Sequence, residues 1–95
     1  MCRRQSGHIV AGATAKKSDF SMTGAAELSW FQSSAMARRG FCRLCGSNLF
    51  WDDGGDQMGI NMGSLDQPTG LKLERHIYVS DKADYYQIDD GLPQS

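Results

Sequence analysis

Apolar and polar positions alternate over short stretches divided by turn residues, and helical periodicity is scarce. Residues 28–33 place Leu28, Trp30 and Gln32 on one face of an extended chain and Ser29, Phe31 and Ser33 on the other. Residues 8–16, 57–63 and 73–79 are further candidate strands. Residues 39–41 and Asn48–Asp52 read as the two arms of a hairpin closed by "CRLCG", and Asp53-Gly54-Gly55-Asp56 as the turn that follows. In "SLDQPTG", residues 64–70, Asp66, Pro68 and Gly70 interrupt regular structure. Only residues 18–22 and 81–86 look helical, each a single turn opened by a Ser or Asp able to cap exposed backbone N–H groups. Short strands so closely spaced predict an all-β sandwich or barrel rather than βαβ units.

A length of 95 residues predicts one small domain, residues 1–95, with no internal repeat or linker. Such a chain buries only somewhat more than ~60% of its unfolded surface, so a metal staple would add appreciably to its stability. The net charge of −1, with both signs interspersed, argues against a nucleic-acid partner. No apolar run approaches the roughly 18 residues of a membrane span. The first twenty residues contain no apolar segment longer than Ile9-Val10-Ala11, and the three cysteines are an odd number, which together predict a reducing cytoplasm.

Cys42 and Cys45 are the chemistry-bearing pair. Two-residue spacing followed by Gly46 is the recurring half-site of a zinc knuckle, in which both thiolates address one tetrahedral ion while turn N–H groups donate to sulfur. A redox pair and two ordinary small apolar residues are the other readings, although a redox C-x-x-C normally sits beside a βαβ unit. Arg38, Arg39 and Arg43 lie close in sequence and would favour thiolate, or else form a solvated hairpin end. His8 and His76 are zinc-competent side chains, but their positions suit packed or surface histidines better. Trp30, Phe31, Phe50, Trp51 and Tyr78 read as core or cross-strand aromatics. Tyr85 and Tyr86 read as pins for the C-terminal segment. Asp89 and Asp90 face opposite ways in an extended chain, which suits a solvated terminus better than an acid/base dyad.

Several anchors, in one order along nearly the whole chain, resemble the glutathione-dependent formaldehyde-activating enzyme family, also called the centromere protein V-like family. "CRRQSG", residues 2–7, is similar to the second half of that family's C-H-C-x-x-C-R-[RK]-x-[ST]-G segment. "FCRLCGSNLFW", residues 41–51, resembles its F-C-x-x-C-G-[ST]-x-[LI]-[FYW]. "GSLD", residues 63–66, and "HIYVSDKADYYQIDDGLP", residues 76–93, resemble the way these chains close.

The resemblance implies a β-sandwich of short antiparallel strands, like that of the zinc-binding chaperones of Rab GTPases, with two zinc sites. Cys42 and Cys45 match two ligands of a structural zinc, and Cys2 matches the last cysteine of a presumed catalytic trio. The early C-x-C and the first two cysteines of the trio have no counterpart here, so the sequence is expected to be a family member without its N-terminal portion. The implied activity is of the carbon–sulfur lyase type, adding a glutathione-like thiol to formaldehyde to give S-(hydroxymethyl)glutathione, with Zn2+ as cofactor. The missing ligands make a non-catalytic zinc-binding or interaction fragment the alternative, and an incomplete sheet favours self-association.

Overall fold

A computed structural model describes residues 2–95, the side chain of Cys2 excepted. The chain forms two compact units, one of residues 12–66 and the other of residues 1–11 with 67–95.

The first unit is a five-stranded antiparallel sheet. Its strands are β1 (Gly12–Lys16), β2 (Leu28–Gln32), β3 (Arg38–Cys42), β4 (Asn48–Asp52) and β5 (Gln57–Asn61), in the spatial order β1-β5-β4-β3-β2. Strands β2 to β5 follow one another as hairpins, while β1 pairs along the outer side of β5. The all-β expectation holds for this unit as an antiparallel sheet. β1 and β5 are shorter than their sequence patterns, β1 beginning at Gly12 and β5 ending at Asn61, where a 3-10 turn over Met62–Ser64 takes over, while β3 extends one residue beyond the expected arm at each end and β4 matches it.

Directly opposed residues share a face, so the register lines up Ala13, Ile60, Phe50, Gly40 and Trp30 across the whole sheet. Trp30 and Phe50 rings lie 6.5 Å apart, and Phe20, from the β1–β2 connection, meets Phe50 edge-on at 5.2 Å. A large ring fits beside β3 because Gly40 has no side chain: a Cβ there would sit 3.0 Å from Trp30 Cζ3 and 3.3 Å from Leu28 Cδ1. Phe31 and Trp51 point to the other face and are exposed, as is Tyr78 in the second unit, so these three aromatics are surface rather than core residues. Across β3 and β4 the register slips by one residue after Gly40, leaving Leu49 as an extra position beside the cysteine turn.

At the far end of the same face lies Asp52, buried to 6% exposure. It accepts from Lys17 Nζ at 2.8 Å, from Arg38 at 3.1 and 3.3 Å, and from the Gly54 N–H at 2.9 Å. The Arg38 guanidinium also lies 3.9 Å from the centre of the Trp30 ring. The Gly54 bond and a matching bond from Gly55 N–H to Asp53 Oδ1 shape the β4–β5 turn where the sequence places it.

The second unit opens with the short helix α1 (Cys2–Ser6), which the alternation pattern does not signal. Its Gly7 carbonyl accepts from the Tyr85 hydroxyl, and His8 stacks on Tyr86 at 4.1 Å, so the two tyrosines do pin residues 85–86. The strand expected at 73–79 does not form. Tyr78 adopts a left-handed conformation (φ 55°) that turns the chain into a 3-10 turn over Val79–Asp81, and His76 makes only an isolated bridge to Gln94. That bridge is held by His76 N–H to Pro93 O at 2.8 Å, Ser95 N–H to His76 O at 3.0 Å and Val79 N–H to Ser95 O at 3.0 Å. The helical turns expected at 18–22 and 81–86 are displaced to 3-10 turns over Lys17–Asp19 and Val79–Asp81, and neither carries a side-chain cap. Among the described residues no helix is long and apolar enough to cross a membrane.

Candidate functional site: a two-cysteine hairpin turn

Cys42 is the last residue of β3, opposite Leu28 and half-buried, and Cys45 is exposed on the turn into β4. Backbone bonds fix the turn: Gly46 N–H to Cys42 O at 2.7 Å and Cys42 N–H to Ser47 O at 2.9 Å. Gly46 takes φ 80°, a conformation costly for any residue with a Cβ, which explains glycine after the second cysteine. Both thiols are free, and neither takes part in a disulfide. The pair thus sits at the tip of the predicted hairpin, with no helix through residues 42–51.

Cys45 Sγ bonds Ser47 Oγ at 3.2 Å. The Ser47 side chain first, then its backbone, then the Cys42 thiol hold the Cys45 thiol below its ordinary pKa. The neighbouring arginines are engaged elsewhere. Arg43 donates to Ala26 O at 2.9 Å and pairs with Glu27 at 2.8 Å, Arg38 is occupied by Asp52, and Arg39 faces the opposite side of β3 from Cys42. Hydrogen bonding, rather than the expected arginine crowding, therefore depresses this thiol. Ser47 was legible only as the residue after C-G in the family pattern.

Zinc held by one chain requires further ligands. Among the described residues, no three His, Cys, Asp or Glu side chains come together. The described residues therefore do not fit a closed four-ligand site within one chain. The Cys2 side chain lies outside the described residues. His8 is engaged with Tyr86, and His76 Nε2 bonds Asp90 Oδ2 at 2.7 Å.

The profile of the glutathione-dependent formaldehyde-activating enzyme family matches residues 1–81. The chain belongs to this family. No curated protein and no solved structure matches it. The family match takes in both the "CRRQSG" segment and the two-cysteine turn, so the turn lies inside the family's own domain rather than in an appended piece. It stops before Asp90, so the carboxylate that pairs with His76 lies beyond it. That pair is a finding the sequence reading missed: His76 is 7% exposed and packed, as its position suggested, but it engages one of the two aspartates read as a solvated terminus. Asp52 was missed too, because a carboxylate ending an amphipathic strand carries no local sign of the two cations that meet it.

Proposed function

We propose that this chain is a zinc-binding protein that serves the carbon–sulfur chemistry of its family in the cytoplasm, with glutathione or a similar thiol and formaldehyde as substrates. In that reaction the thiol sulfur bonds to the carbonyl carbon, the carbon–oxygen π bond opens, and the thiol proton ends on the new hydroxyl oxygen. The family match over residues 1–81 carries this reading. The Ser47-supported thiol pair at the β3–β4 turn adds to it, since zinc takes thiolate and the Cys45 proton is already easier to remove than that of an ordinary cysteine. No step is assigned to the metal, because the described residues of one chain supply two sulfur ligands and not four.

A second reading, a zinc-binding or interaction chain without catalysis, is favoured by that same shortage of ligands. Adduct formation from glutathione and formaldehyde, followed with zinc supplied, separates the two. Zinc-dependent turnover above the uncatalysed rate, lost in Cys42→Ser, supports the enzyme reading. A rate equal to the uncatalysed one, from folded protein that has taken up zinc, supports the second.

A further inference from the structure

Residues 71–75, Leu-Lys-Leu-Glu-Arg, alternate apolar and charged side chains as a strand does, yet they pair with no other segment. They run without a turn or bend from Gly70, whose φ of 70° ends the extended course on one side, to the bridge at His76 on the other. All five are exposed. Among the described residues, no backbone N–H or C=O of residues 72–75 has a hydrogen-bond partner, and the Leu71 N–H meets only the Thr69 hydroxyl at 3.2 Å. Open backbone groups with leucines at alternate positions make a template for another strand. His76 decides which edge is open. Its N–H and C=O both bond residues 93–95, and successive residues of an extended chain aim these groups to opposite edges. Leu73 and Arg75 therefore present theirs on the edge away from residues 93–95.

We propose that this run pairs with the same run of a second copy of the chain, antiparallel about a twofold axis at Leu73. The charge pattern selects that partner. Opposing Leu73 with Leu73 of the second copy sets Lys72 against its Glu74 and Glu74 against its Lys72, so both ion pairs form and the leucines share one face. Neighbouring registers do not serve: centred on Lys72 or Glu74 they oppose like charges, and shifted by one residue they set Leu73 against Lys72 or Glu74. A parallel pair would oppose each charge with its own kind. The open edge agrees with the selected register, since pairing there makes Leu73 a hydrogen-bonded position and leaves Lys72 and Glu74 at the non-hydrogen-bonded positions, where opposed side chains stand closer. Leu71 then lies against the aliphatic stem of Arg75 of the second copy. One short strand pair covers far less area than a typical stable interface, so the dimer exchanges with monomer and fills as concentration rises. The pairing uses no cysteine and stands apart from the zinc reading.

The test is sedimentation of the full chain over a range of concentration, with reductant present to prevent disulfides, together with amide exchange read residue by residue. A monomer–dimer equilibrium is expected, in which the amides of Leu73 and Arg75 exchange more slowly in the concentrated sample while those of Lys72 and Glu74 do not change. Leu73→Pro removes the central donor and loses the dimer. Lys72→Glu and Glu74→Lys each lose self-association alone, and their equimolar mixture regains it, because the two reversed patterns complement each other. These substitutions fall in an exposed run without backbone partners, and protected amides in β3 and β4 verify that each variant is folded. The unmutated chain's alternating exchange pattern depends on no variant. A dimer that survives Leu73→Pro or both charge reversals, a mixture no more associated than its components, or slowing at Lys72 and Glu74 overturns the pairing. A chain monomeric at every concentration also overturns it and leaves the edge to an extended peptide of another protein.

Discussion

Lys17 Nζ lies 2.8 Å from Asp52 Oδ1 and joins residues 35 positions apart, the entry to the β1–β2 connection and the end of the central strand β4. With Arg38 on the other carboxylate oxygen, Asp52 is a buried anion between two half-exposed cations. Replacing it removes several charge-assisted bonds while both cations keep access to water. Asp52→Ala is expected to lower unfolding free energy by about 1–3 kcal/mol, measured by denaturant titration at neutral pH.

The same carboxyl sets an acid limit. Hydrogen bonds from Lys17 and from the Gly54 N–H, with Arg38 adding to them, lower its pKa to about 2. A depressed carboxylate contributes stability that is fully present above its unfolded value near 4 and is lost as pH falls from there toward 2. The loss of stability between pH 5 and pH 2 should therefore be shallower in Asp52→Asn than in the unmutated chain. Equal slopes would show that Asp52 does not set this limit.

Gly40 makes room for the Trp30 ring. A methyl there would stand 3.0 Å from the ring and 3.3 Å from Leu28, while Arg38 lies over the indole. Gly40→Ala is expected to destabilise the sheet by about 1–3 kcal/mol and to change tryptophan emission as the indole is displaced. Gly63→Ala, where a Cβ meets nothing within 4 Å, is the neutral control.

Ser47 bonds the Cys45 thiol at 3.2 Å and holds it below its ordinary pKa. Its hydroxyl and backbone are the two largest influences lowering the thiol pKa. In a Cys2→Ser background, Ser47→Ala should shift the pH profile of Cys45 alkylation to higher pH, with Cys42 followed separately by peptide mapping. An unmoved profile would assign the lowering to the Ser47 backbone and Cys42 instead.

His76 and Asp90 fasten the end of the chain, together with the backbone bonds from residues 93–95 to residues 76–79. Hydrogen bonding from His76 first, and from the Leu92 N–H, holds Asp90 below the ordinary carboxylate pKa, so its contribution is present above the unfolded value and disappears as pH falls below it. Asp90→Asn is expected to speed amide exchange at His76, Val79 and Ser95 at neutral pH, while the amides of β3 and β4 keep their protection.

The sequence by itself determined what local chemistry controls. Period-two alternation located a strand at residues 28–33, one residue longer than β2, the Asp-Gly-Gly-Asp turn located the β4–β5 connection, and C-x-x-C-G located both the outgoing arm at residues 48–52 and a tip whose glycine needs positive φ. Tertiary structure decided which segments found partners. Residues 73–79 alternate as well as any strand, but their backbone meets only the bridge at His76, and Tyr78 turns the chain away. Alternation also says that Trp30 and Phe31 face opposite ways without saying which face is covered; Gly40 and Phe50, brought alongside by pairing, decided for Trp30. The pairing of β1 with β5, the cations around Asp52 and the meeting of His76 with Asp90 all join residues 14 or more positions apart. A short-range pattern holds no record of them, because long-range pairing is settled by which buried groups satisfy one another once the sheet has formed.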